Sequence, residues 1–286
     1  MRRNGEKIKM IRVTDAWFIL TLFFIIAFGY LFFLGDYILF FQEQQSLFLY
    51  SAAYINDFFI KPGGLLDLAG RFLTQFYISK FAGSIILAAV LSTPGIILFY
   101  VNRRLIPGSA FSAFLFLVPS CMLMLMQTHY YHLMMYNLGF LLVVVYFHIW
   151  LSTEKKTIRY LVLALFPLFF YLTGAYAAIF ICLFILYSLL YIEGPHKYYY
   201  PLFILAVTGI SAVVFNEILL LQTFKQLVLF PLPFINDSAH KVLFWLLTGL
   251  LILYPVICRL AGTLKPVKRN IIPAGLNWSR LPSHYP

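Results

Sequence analysis

Asp36-Tyr37-Ile38-Leu39-Phe40-Phe41-Gln42-Glu43-Gln44-Gln45 opens a segment, 36–80, that is neither a plain apolar run nor a basic loop. It holds four of the ten acidic residues: Asp36, Glu43, Asp57 and Asp67. As one helix from Asp36 to Ile60, it sets Asp36, Glu43, Tyr50 and Asp57 at successive seven-residue steps, a drift of only about 20° each. The spacing predicts a polar stripe opposite Phe41, Phe48, Ile55 and Phe59, an amphipathic pattern suited to the plane of a membrane surface. A second amphipathic helix is predicted to start at Pro62, whose fixed φ and missing N–H suit a first turn. Gly63 and Gly64 then leave backbone amides open, and Asp67 with Arg71 makes an i, i+4 pair on the wet side, away from Leu65, Leu68, Phe72 and Phe76.

Outward from this segment the chain is apolar. With 62% hydrophobic residues, 11% charged residues and a mean hydropathy of +0.88 over 286 residues, a soluble globular domain is excluded. The composition predicts an all-α, polytopic membrane protein. The apolar runs divide it into a basic N-terminus (1–15), span one (16–35), the outer amphipathic segment (36–80), spans two to eight with short loops (81–257) and a basic tail (258–286). The run from Tyr160 to Ile192 would measure roughly 50 Å as one helix at 1.5 Å per residue, so it is predicted to break near Pro167, Thr173 and Gly174 into two arms.

Eight spans place only five of the 21 Lys and Arg, namely Lys61, Arg71, Lys80, Lys225 and Lys241, on the side away from the termini. By the positive-inside rule both termini are then cytoplasmic. The net charge of +11 becomes a topology signal with anionic lipid headgroups as partners, and no nucleic acid is implied. Cys121, Cys182 and Cys258 suggest neither a disulfide framework nor a metal site. The tail from Asn270 carries Pro273, Pro282 and Pro286 and reads as unstructured.

Carboxylates at a membrane edge serve as general bases or as ligands of a divalent ion, which makes Asp36, Glu43 and Asp57 the chemical candidates. Equally, one surface helix needs a polar face whatever it does. Glu43 stands out because apolar Phe40 and Phe41 precede its polar knot. Gly63 and Gly64 with Arg71 could hold a phosphate through open amides and a guanidinium; a helix start after a turn also explains them. His129 and His132 lack an Asp, Glu or Cys to complete a metal set and read as interfacial beside Tyr130 and Tyr131. Glu217 is a candidate at the outer end of span seven, while Gln127, Asn137 and His148 read as groups that join helices by hydrogen bonds. No nucleotide, zinc-protease or serine-hydrolase fingerprint occurs.

The run Phe40-Phe41-Gln42-Glu43-Gln44-Gln45-Ser46-Leu47-Phe48-Leu49, with Pro62-Gly63-Gly64-Leu65 and Phe72-Leu73-Thr74-Gln75-Phe76-Tyr77, resembles the front of an uncharacterised family of multi-pass membrane proteins from Bacteroidetes-type bacteria. That family is similar in layout to the membrane glycosyltransferases of the C superfamily, and the apex Tyr171-Leu172-Thr173-Gly174 resembles their re-entrant helix pair. The resemblance implies an acidic catalytic base in the first outer loop, here Glu43, and a polyprenyl-phosphate-linked sugar as donor. Two features depart from the pattern: Glu43 is flanked by Gln42 and Gln44 rather than by a second acid, and family members are longer. Alongside the transferase stand a transporter or flippase component, a structural membrane partner, and an inactive truncated member. A divalent metal is the one cofactor these residues suggest.

Overall fold

The computed structural model describes residues 13–106, 112–215, 230–232 and 238–263. The basic N-terminal residues, Glu217 with most of the loop that follows it, and the tail beyond 263 lie outside the described residues.

The described residues are mostly helical, with no strand among them. In chain order they form α1 (Val13–Phe33), α2 (Asp36–Gln45), α3 (Ala52–Phe59), α4 (Gly64–Thr74), a 3₁₀ turn (Gln75–Ile78), α5 (Lys80–Leu105), α6 (Ser112–Leu115), α7 (Val118–Gln127), α8 (Met134–Ser152), α9 (Lys156–Ala164), α10 (Phe166–Thr173), α11 (Tyr176–Tyr191), α12 (His196–Val213) and α13 (Ser238–Thr263). Among the described residues four helices are long and apolar enough to cross a membrane, within α1, α5, α8 and α13. A fifth crossing results if α9 and α10, bent by 40° at Leu165, count as one span.

The bundle is organised around α5, which packs against α1, α7 and α8, while α11 packs against α8, α12 and α13. Its core is aromatic: Phe140, Phe147 and Trp150 of α8 meet Tyr176, Tyr187 and Phe184 of α11 respectively. By contrast, α1 is apolar on every side yet turns Phe18, Leu22, Ile25 and Ile26 outward. An apolar face of that extent marks contact with lipid or a partner.

The break expected in the 160–192 run falls at Gly174, whose φ of 58° ends α10. Pro167 sits in the first turn of α10, where its missing N–H costs nothing. The outer segment departs from expectation in two ways. The single helix over 36–60 is two helices, because residues 46–51 leave the helical path. The Ser46 carbonyl accepts from Gln75 Nε2 at 2.9 Å, the Leu47 carbonyl from the Tyr54 hydroxyl at 2.9 Å, and Ser51 caps α3. The seven-residue stripe is therefore divided, with Asp36 and Glu43 on α2, Tyr50 in the linker and Asp57 on α3.

The second departure is the facing of α4. Asp67 is 6% exposed, whereas Phe72 and Phe76 are on the surface. The cause lies at Gly70, where a Cβ would come 2.9 Å from the Met135 backbone nitrogen. That close approach seats the Asp67 face of α4 on α8 and turns the phenylalanines outward.

Candidate functional site

On α2 the positions 36, 39, 40 and 43 share one side of the helix. Asp36, Leu39, Phe40 and Glu43 form one wall of a cleft of about 280 Å³ whose other wall is Tyr77, Ile78 and Lys80. Lys80 Nζ lies 3.2 Å from Asp36 Oδ2, and the same ammonium stands 5.4 Å from the centre of the Phe32 ring. Glu43 is half-buried and has no ion-pair partner among the described residues. Tyr77 lines the cleft as a buried side chain: it is 4% exposed, and its hydroxyl has no hydrogen-bond partner among the described residues. Burial pushes that phenol above its ordinary range. Two carboxylates against one ammonium leave the cleft with an excess negative charge.

The neighbouring residue takes the opposite course. Gln42 is fully buried and its Nε2 donates to the His132 carbonyl at 2.7 Å. His132 Nε2 lies 3.0 Å from Asn137 Oδ1, Asn137 Nδ2 donates to Gln127 Oε1 at 2.7 Å, and His132 Nδ1 lies 2.8 Å from His240 Nε2. Because the Asn137 amide oxygen can only accept, His132 carries its proton on Nε2 and accepts at Nδ1 from His240. Burial, with His240 beside it, pulls the His132 pKa down to about 3, so the imidazole is neutral. This knot ties α2, the turn after α7, α8 and the start of α13 together.

A third polar place lies on α4. Arg71 Nε bonds Asp67 Oδ1 at 2.9 Å, and both line a cavity of about 50 Å³ with Gln45, Ser46, Thr74 and residues 133–135. The adjoining glycine turn is occupied by protein. Gly63 N–H donates to the Tyr171 carbonyl at 2.8 Å and Gly64 N–H to the Lys61 carbonyl at 3.0 Å. These two amides, which the sequence leaves open for a phosphate, are thus already engaged. The turn is a dock: Tyr171 donates to the Phe59 carbonyl at 2.9 Å, and Ala175 N–H to the Phe230 carbonyl at 2.9 Å. Lys61 Nζ sits 3.8 Å above the Phe230 ring. Burial lowers the Lys61 pKa, opposed by the Asp67 charge.

Of the sequence candidates, Asp36 and Glu43 come together; Asp57 is exposed on α3 and lines neither cavity, and Arg71 lines the cavity on α4 rather than the α2 cleft. Among the described residues no group of three or more His, Cys, Asp or Glu is placed to hold a metal ion. Three residues escaped sequence reasoning. Lys80 and Tyr77 complete the cleft, and their signal was their position at the junction of the outer segment with α5. His240 completes the knot, 108 positions from its partner, with no local signal.

A family model matches residues 10–280, and the chain belongs to that family, the family of unknown function DUF6057. No curated protein and no solved structure matches it.

Proposed function

We propose that this DUF6057 member, from a Bacteroidetes-type bacterium, is a multi-pass inner-membrane protein with eight crossings and cytoplasmic termini. In this reading α7, α11 and α12 cross in addition to the four long helices and the bent α9–α10 pair. The outer segment then works on a lipid-linked substrate at the outer leaflet. The reaction is glycosyltransferase-like: a sugar passes from a polyprenyl-phosphate donor to an acceptor hydroxyl. Glu43 takes the hydroxyl proton, the acceptor oxygen bonds the sugar's anomeric carbon, and the bond from that carbon to the phosphate oxygen breaks, its electron pair leaving with polyprenyl phosphate.

One observation carries this reading: Glu43 is a half-buried carboxylate with no ion-pair partner among the described residues, facing a cleft beside the start of α5. Asp36 assists by holding Lys80 in place. Arg71, half-buried and already paired with Asp67 in the cavity on α4, is the guanidinium this reading assigns to the donor phosphate. Asp57 receives no role, since it lies apart from the cleft.

The test is transfer of labelled sugar from a polyprenyl-phosphate donor in membrane vesicles. Glu43→Gln is expected to lower transfer by about 100-fold or more, the ordinary worth of a general base, with unchanged membrane insertion. Loss of insertion, or full transfer, would remove the catalytic role. A non-enzymatic structural partner is the second reading, favoured by the Asp36–Lys80 pair, in which the charges of the cleft partly neutralise each other. It expects no transfer from the unaltered chain. A transport path draws less support, because transporters gather polar groups near the bilayer midplane, and here the carboxylates cluster at the end of the spans.

A further inference from the structure

The cleft between α2 and the start of α5 has walls of two kinds. Asp36, Glu43 and Lys80 supply charge, while Leu39, Phe40 and Ile78 supply apolar surface, with Phe40 and Ile78 largely exposed. Beside it, Phe33 and Leu34 at the end of α1 and Phe81 at the start of α5 also face outward. A mixed-charge cavity bordered by outward apolar side chains is the chemistry of a lipid headgroup region. A volume of about 280 Å³ lies at the lower end of small-molecule sites and accommodates a headgroup, leaving acyl chains to run along the apolar border.

The charges narrow the class further. Glu43 has no cation partner among the described residues, so it asks for a donor with several N–H bonds, whereas Lys80 is shared with Asp36 and can still meet an anion. The excess negative charge disfavours a purely anionic headgroup.

We infer that this cleft binds the headgroup of an amine-bearing phospholipid of the phosphatidylethanolamine type, its ammonium on Glu43 and its phosphate on Lys80. This rests on the membrane reading and does not depend on sugar transfer.

The test uses the full chain purified in detergent, mixed with equal amounts of phosphatidylethanolamine, phosphatidylcholine and phosphatidylglycerol of identical acyl chains, with retained lipid measured by native mass spectrometry. Phosphatidylethanolamine is expected to be retained about 10-fold over the other two, since methylation removes the N–H donors and the glycerol headgroup lacks a cation. Glu43→Gln should abolish that preference and Asp57→Asn should leave it. Lys80→Gln, at a partly exposed position that tolerates change, should weaken retention of phosphatidylethanolamine several-fold. Free phosphoethanolamine at millimolar concentration separates the sources: weak competition is expected of a lipid site, and full displacement would assign the cleft to a soluble amine. Equal retention of all three lipids, or a preference that survives Glu43→Gln, overturns the inference. A chain that stays soluble without detergent and does not float with vesicles overturns the membrane reading itself, and a failed sugar-transfer assay leaves the lipid result standing.

Discussion

Gln42 and Glu43 are adjacent in the chain and serve opposite ends. The Gln42 side chain enters a fully buried knot in which the His132 carbonyl, His240, Asn137 and Gln127 exchange hydrogen bonds at 2.7–3.3 Å. The Glu43 side chain stands in a cleft, half-buried, with charge to spare. The difference teaches where to look for chemistry: side chains that bond one another, with only the Gln42 Oε1 left without a partner on this side chain among the described residues, hold the outer segment onto the bundle, and a carboxylate left with capacity faces a ligand. The glycine turn at 62–64 belongs with the closed side, because its amides end on Lys61 and Tyr171.

Changes on the closed side should therefore cost stability, and changes on the open side should not. The largest loss is expected from Gly64→Ala, since a Cβ there would lie 1.9 Å from the Phe58 carbonyl oxygen, which is backbone and cannot swing away. A cost of about 3 kcal/mol, at the top of the usual overpacking range, should appear as a lowered thermal midpoint of the purified protein. His132→Ala comes next. It strips a side-chain partner from His240 and from Asn137, while Gln42 keeps the His132 backbone carbonyl, and the loss is expected at about 1–3 kcal/mol, read in the same melt.

The knot also sets a pH dependence. The His132 pKa is depressed from 6.5 to about 3 in the folded chain, so the unfolded chain binds the proton more readily. Its contribution is whole above pH 6.5 and falls away as pH drops from there toward 3. The melting temperature should decline across that window, and His132→Asn should flatten the decline. Smallest of all is Asp36→Asn. Asp36 has a side chain that is 65% exposed, and surface ion pairs contribute about 1 kcal/mol at most. Its melt should scarcely move, in contrast to Gly64→Ala.

The same contrast explains what was legible in the sequence. The break at Gly174 could be read because glycine with a nearby proline is a local signal, and a second helix could be read from Pro62-Gly63, although it starts at Gly64 and leaves Pro62 in the turn before it rather than in its first turn. Asn137 and Gln127 were legible as groups that join helices, and their side chains do bond each other. The unwinding at 46–51 was not legible, because Gln75, 29 positions away, holds the Ser46 carbonyl out of the helix. Nor was the burial of Asp67. Periodicity locates two faces on α4, and only the contact of Gly70 with Met135 decides which one turns inward. Within the candidate site, Glu43 and Asp36 were visible from their spacing, while Lys80 and Tyr77 enter through the 3₁₀ turn that folds back on α2.

Single-cysteine labelling of the pair Gln42 and Glu43 bears most directly on the central claim. In a chain with Cys121, Cys182 and Cys258 replaced by alanine, Gln42→Cys and Glu43→Cys would be treated in intact spheroplasts with a membrane-impermeant maleimide. Rapid labelling at 43 and none at 42 is the predicted result, with 43 open to the outer face and 42 closed inside the knot. Labelling at 43 only after the membrane is permeabilised, or equal labelling at both positions, would contradict it.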